Sequence, residues 1–192
     1  MQSEISMRNL CILLTIILCS SCQLRTFDIP KAPLKPEQAV IFDIDGTLTP
    51  KPSAYSKTRE DAARAVRLFA DNGYKIIYLS ARRKIFQFII PRSLVKGGFP
   101  EGSIQVPQTS TDSSDHAAFK VRIMKEYQEN GWTLVAAYGD SSTDFQAYAA
   151  VGIDKESVFA LRRVGDDSCQ QGIWAKCLDS WSEHLDLSLI HI

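Results

Sequence analysis

Neither sign of charge dominates this chain: Lys plus Arg and Asp plus Glu each number 22. That balance, with no basic run, excludes a broad phosphate-tracking surface and argues against a nucleic-acid partner. Any attraction for an anion has to be local. Internal repeats and low-complexity tracts are absent too, and "STDSSD", residues 110–115, reads as a polar loop. Nor does the sequence offer a free-standing membrane span, which takes about 20 apolar residues. The apolar run from Leu10 to Cys19 falls short of that. It follows Arg8 and precedes small residues up to Cys22, the plan of an export signal over residues 1–22.

The pair Ser20 and Ser21 immediately before Cys22 resembles a bacterial lipoprotein signal, in which Cys22 becomes the lipidated first residue. Plain secretion with cleavage nearby is the alternative. Both readings export the protein, to the periplasm or, anchored to a membrane surface through Cys22, to the outer membrane of a bacterium. Of the five cysteines, Cys11 and Cys19 then leave with the signal and Cys22 carries lipid. Cys169 and Cys177 remain, an even pair expected to form a disulfide in an oxidising compartment. Residues 23–38, containing "DIPKAPLKPEQ", read as a tether, and 39–186 as one domain of ordinary size. The final "LSLIHI" fits no element and reads as a non-native tail over 187–192.

Within the domain, apolar runs alternate with helical periodicity. "AVIF", "YKIIYL", "WTLVAAY" and "SVFAL" predict buried strands. Thr58 and Asp61 have the spacing of a capping box ahead of a helix whose apolar positions are Ala62, Ala65, Val66 and Phe69, stopped by Gly73. Residues 85–96 are helical in part, with Pro91 kinking or dividing them, and Ile104 to Val106 form a short edge strand. Phe119, Ile123 and Tyr127 recur at steps of four in a helix over 115–130. Such alternation predicts an α/β domain with a doubly wound parallel sheet, which binds ligands at the carboxyl ends of its strands.

Asp43, Asp45, Ser80 and Asp140 all fall at those ends. In "DIDGT" the two carboxylates would share a face if extension continued through them, and like charges that close repel unless something holds them. Asp140 and Asp144 add to the same crevice, so a counter-ion is required, and hard oxygen donors favour Mg²⁺. Ser80 offers a hydroxyl, Lys120 a compact cation, and the loop amides after Asp43 an anion nest. Together these describe a clamp for a phosphoryl group.

"DIDGT" at 43–47, Ser80 after an apolar strand, Lys120 on a helix and "GDSSTD" at 139–144 resemble, in order, the four motifs of haloacid dehalogenase-like (HAD) phosphatases. The resemblance implies a Rossmann-like fold, with Asp43 as the nucleophile that forms an aspartyl-phosphate and Asp45 as the general acid and base. It implies Mg²⁺ held by Asp43, the backbone carbonyl of Asp45 and Asp140, with Asp144 in support. Ser80 and Lys120 would hold the phosphoryl oxygens, and Thr47 would orient the nucleophile loop or serve the turn. "YLSARR" and "YGDSSTDFQAYAAVGI" are similar to the lipin-type catalytic domain, which dephosphorylates phosphatidic acid, and to its relative at the end of phosphatidylinositol-transfer proteins. Arg82 takes the Arg of that Ser-Ala-Arg signature, to contact phosphate or organise the loop. The transfer-protein relatives have often lost the catalytic pair, whereas this chain keeps both carboxylates.

Only 34 residues separate Asp45 from Ser80 and 39 separate Ser80 from Lys120, which leaves no room for a lid domain. The site is therefore expected to be essentially uncapped and open to a bulky phosphomonoester such as a phospholipid head group. Two other functions fit the same residues: a broad periplasmic acid phosphatase for nucleotides or sugar phosphates, and a catalytically silent lipid-binding module. Trp132, Trp174 and Trp181 read as packing residues and His116 as a surface residue. Arg162 and Arg163 read as solvated cations, or as cations facing an anionic surface.

Overall fold

The computed structural model describes residues 28–32, 37–51 and 57–185. The expected export signal with Cys22, part of the tether and the tail over 187–192 lie outside them. Six strands form one sheet: β1 (Glu37–Phe42), β2 (Lys75–Leu79), β3 (Ser103–Gln105), β4 (Trp132–Gly139), β5 (Val158–Leu161) and β6 (Lys176–Leu178). Every pairing is parallel, in the order β3-β2-β1-β4-β5-β6. The α/β, doubly wound parallel sheet expected from the sequence is the fold observed.

The central strand shows why. The last four residues of β1 are buried, as a strand covered on both faces must be. Side chains alternate, so Val40 and Phe42 enter one core while Ala39 and Ile41 enter the other. On the first face lie α1 (Ala62–Asp71), α2 (Ile89–Lys96) and a helical stretch at 181–185 that brings Trp181 and Leu185. On the second lie α4 (His116–Glu129) and α5 (Ser142–Ala150). Between β3 and α4 sits a short α3 (Ser110–Ser114). Phe42 stacks on Tyr138 with ring centroids 5.0 Å apart, and truncating so buried a ring to Ala costs about 3–5 kcal/mol.

Several local expectations change. Asp61 does precede α1, but at φ 58 and without a side-chain cap; its carboxylate accepts from the Ser182 hydroxyl at 2.8 Å instead. "STDSSD" holds a helical turn, α3, because Thr109 and Asp112 form a capping box there. Pro91 lies in the first turn of α2, where no amide is needed, and the preceding residues form a separate 3₁₀ turn, Lys84–Phe86. Part of the expected tether is docked: Ile29 and Ala32 pack on the second core, and the Trp132 indole donates to the Pro30 carbonyl at 2.7 Å. Cys169 and Cys177 are joined by a disulfide, as cysteine arithmetic anticipated.

Strand order reverses between β1 and β4, since β2 continues from β1 on one side and β5 from β4 on the other. The carboxyl ends of these two strands deliver Asp43 and Asp140, so the crevice at the switch point is the acidic one.

Candidate active site

Asp43 is the first residue past β1, and its amide still donates to the Tyr138 carbonyl at 2.9 Å. The ladder with β4 thus fixes the backbone of the residue that carries the first carboxylate. Extension ends there. The amides of Leu48 and Thr49 both return to the Ile44 carbonyl at 2.9 Å, closing a tight loop. Gly46 serves this loop twice: its φ is 85°, and a Cβ on it would collide with the Asp140 Oδ2.

The loop's two carboxylates therefore have different partners. Asp43 Oδ1 accepts from the Lys120 ammonium at 2.6 Å, and its Oδ2 from the Thr47 hydroxyl at 3.2 Å. Lys120, on the inward face of α4 beside Phe119 and Ile123, also pairs with Asp144 Oδ1. Asp144 is held from its other oxygen, which accepts from the Ser141 amide at 3.0 Å, the Ser141 hydroxyl at 2.7 Å and the Asp140 amide at 3.2 Å. The same carboxylate closes the capping box that starts α5 and braces the lysine.

Asp45 points elsewhere. Arg82 grips it through Nε at 2.8 Å and Nη2 at 2.6 Å, and the Ser80 hydroxyl donates to it at 3.1 Å. The Arg82 amide in turn donates to Ser80 Oγ at 3.2 Å, so β2 ends in a small cradle for this one carboxylate. The Asp45 carboxylate is thus engaged by Arg82 and Ser80, which leaves its backbone carbonyl as the group expected to face a cation. Among the described residues the group suited to a cation is Asp43, Asp140 and Asp144, without the Asp45 carboxylate.

Charge in that group is unbalanced. Burial raises the Asp43 carboxyl well above its ordinary range; Lys120 opposes this, while Asp144, Asp140 and Asp45 add to it. Burial and Asp144 likewise push Asp140 up to about 6, although Arg163 opposes this from 2.5 Å. Burial alone would lower the Lys120 ammonium, but Asp144 and Asp43 hold it above its usual value. Three buried carboxylates thus surround one buried ammonium. Their oxygens lie within 4.8 Å of one another, close to the span of about 4.2 Å across a Mg²⁺ coordination shell. Donor type, count and spacing fit a divalent cation.

These residues face an open cleft of about 520 Å³, lined by Asp43, Asp45, Arg82, His116, Asp140 and Arg163 among others. His116 is exposed, as expected, and stands at its edge. Arg163, read from the sequence as solvated, is instead the partner of Asp140, and Arg162 pairs with Asp179 at 2.6 Å. Arg59 escaped sequence reasoning: Nη1 donates to the Gly46 and Arg162 carbonyls, both at 2.8 Å, tying the loop after Asp43 to the end of β5. Nothing local in the sequence marks an arginine whose acceptors are backbone oxygens from distant segments. Trp132 and Trp181 are packing residues; Trp181 also donates to the Thr47 carbonyl at 2.9 Å.

The family profile described as "PITM 1-3, LNS2 domain" matches residues 40–162. The chain is 31% identical over 132 residues to the Drosophila melanogaster protein retinal degeneration B, covering 67% of this chain and 10% of that protein. It is 24% identical over 158 residues to human phosphatidate phosphatase LPIN1, covering 68% and 17%. The chain thus spans about a tenth to a sixth of the length of these relatives. Among solved structures, D,D-heptose 1,7-bisphosphate phosphatase from B. bronchiseptica, complexed with magnesium and phosphate, superposes with a TM-score of 0.56 at 14% identity, covering 81% of this chain and 99% of that one. A candidate HAD-like phosphatase from Mesorhizobium loti gives 0.56 at 15% identity, covering 83% and 90%. At such identities the likeness is one of fold.

Proposed function

Since the chain belongs to the LNS2 domain family of the lipins and phosphatidylinositol-transfer proteins, we propose that it is a Mg²⁺-dependent phosphomonoesterase with phosphatidic acid as its favoured substrate class. One observation carries the chemistry: Asp43, desolvated and braced by Lys120 and Thr47, faces the same cleft as Asp45, which is held apart from it by Arg82 and Ser80. Two carboxylates in different environments can take different roles.

In this reading an oxygen of Asp43 attacks phosphorus, and the bond from phosphorus to the substrate oxygen breaks. The leaving oxygen takes its proton from Asp45. Asp45 then accepts a proton from water, whose oxygen attacks the aspartyl-phosphate. The acyl phosphate bond breaks at phosphorus, inorganic phosphate leaves, and both carboxyls return to their starting states. Asp43, Asp140 and Asp144, with the Asp45 carbonyl, would hold Mg²⁺, whose charge supplies electrostatic stabilisation of the phosphoryl oxygens. Lys120 adds a buried positive charge beside the nucleophile, and Ser80 and Arg82 orient Asp45 through direct hydrogen bonds. Arg82 commits its Nε and Nη2 donors to Asp45, which supports a loop-organising role.

Export and acylation at Cys22 are part of the same proposal, supported by the Cys169–Cys177 disulfide, a bond typical of oxidising compartments. Mass spectrometry of the mature amino terminus reads them out. For the activity, phosphate release is measured with Mg²⁺ and with chelator, on phosphatidic acid in mixed vesicles and on soluble nucleotide and sugar phosphates. Turnover confined to soluble esters replaces the lipid substrate with the broad acid-phosphatase reading. Vesicle binding without turnover favours the silent module.

A further inference from the structure

The stretch from Ala81 to Pro100, "ARRKIFQFIIPRSLVKGGFP", holds five cations, Arg82, Arg83, Lys84, Arg92 and Lys96, and no acidic residue, in a chain whose charges otherwise cancel. It also holds four of the six large apolar side chains that are most exposed among the described residues. Phe88 is 78% exposed, Val95 69%, Ile85 63% and Ile89 42%. The inward face of α2 is satisfied by Ile90 and Leu94, so these four have no place in the core. Soluble surfaces rarely cluster large apolar groups in this way without a partner.

Position adds to the argument. The stretch begins at the carboxyl end of β2, immediately after the Ser80 and Arg82 cradle for Asp45. Across the cleft, beyond β5, Val164 is 68% exposed and lines the same opening beside Arg163. Ala81 and Arg82 line the cleft, and the exposed apolar groups follow them in the chain from residue 85 onward. Arg83, Lys84, Arg92 and Lys96 are all exposed around them.

We infer that residues 84–96 form an interfacial docking surface for an anionic lipid bilayer, with Ile85, Phe88 and Ile89 entering the acyl boundary and Lys84, Arg92 and Lys96 meeting anionic head groups. Charge complementarity selects this occupant. Apolar side chains flanked along the chain only by cations match a negatively charged, oil-backed surface, whereas a second copy of this chain would set the four cations against themselves. The inference rests on the phosphatase reading only for the direction in which the cleft faces; docking is measured without turnover.

Phe88→Trp places a local reporter in the full chain, independent of any anchor at the amino terminus. With vesicles of phosphatidylcholine and phosphatidylglycerol carrying brominated acyl chains, this variant shows tryptophan quenching beyond that of the parent chain. Quenching falls in pure phosphatidylcholine. In the Phe88→Trp background, Lys84→Glu and Arg92→Glu together lower apparent vesicle affinity about 25-fold, at roughly fivefold per removed cation. Ile85→Ser with Phe88→Ser leaves hydrolysis of soluble p-nitrophenyl phosphate unchanged and lowers hydrolysis of vesicle-borne phosphatidic acid. Absence of extra quenching in anionic vesicles overturns the inference. So does a dimer in sedimentation that Ile85→Ser and Phe88→Ser convert to monomer. If neither substrate is hydrolysed while quenching persists, the phosphatase reading fails and the docking surface stands.

Discussion

Asp43 and Asp45 are two residues apart and live under opposite conditions. Asp43 has a side chain 5% exposed and sits among other buried carboxylates, with Lys120 as its ionic partner. Asp45 is three times as exposed at 16%, and is gripped by a planar guanidinium and a hydroxyl. The floor of the cleft crowds three carboxylates together with one buried ammonium; the rim pairs one carboxylate with one guanidinium. In the proposed mechanism the floor suits a nucleophile that meets phosphorus beside a cation. The more exposed rim suits a group that trades protons with a leaving oxygen and then with water. The difference comes from one turn, in which Gly46 lets the chain leave extension and admits the Asp140 carboxylate against its α-carbon.

Four experiments break or sharpen this contrast. Asp43→Asn removes the attacking oxygen's charge, and kcat for phosphate release falls at least about a thousandfold with the circular dichroism spectrum retained. Survival of turnover would move the nucleophile off the floor. Lys120→Met leaves Asp43 and Asp144 without their shared cation, so denaturant unfolding without metal shows a loss of about 3–5 kcal/mol. Mg²⁺ should restore part of it if those carboxylates are its ligands. Asp45→Asn costs about a hundredfold in kcat on alkyl phosphates. The loss is smaller on p-nitrophenyl phosphate, whose leaving group needs no proton, and an equal loss on both would argue against a rim acid.

The smallest effect is one of pH. Folded Asp140 is pushed up to about 6 from an ordinary 3.8, so over that window the native state binds protons more tightly than the unfolded one. Stability of the metal-free protein from this group is therefore greatest at low pH and is lost as pH rises towards 6. Thermal unfolding at pH 5 and 7, with and without Mg²⁺, measures it: the cation should stabilise more at pH 7, where no proton competes.

The sequence revealed the floor more readily than the rim, for a physical reason. Asp43 and Asp140 sit where long apolar runs end, and Lys120 lies in a row of helical periodicity with Phe119 and Ile123, so strand and helix patterns point to them. The same patterns marked β2, β4, β5 and α1. The grip of Arg82 on Asp45 spans 37 residues and that of Arg163 on Asp140 spans 23, and no local period encodes such pairings. β6 escaped because three residues, one of them exposed, carry too little alternation to announce a strand. α3 escaped because its composition is that of a loop, and only the reciprocal bonds of Thr109 and Asp112 make it a turn of helix.

The indole of Trp181 donates to the carbonyl of Thr47, a residue 134 positions earlier in the chain. A chain is made and exported in one direction, so the loop that bears Asp43 arrives long before the side chain that fastens it. The cleft can be finished only once Trp181 has followed, and a chain truncated before that residue, lacking a fully buried core ring, should hold Asp43 poorly.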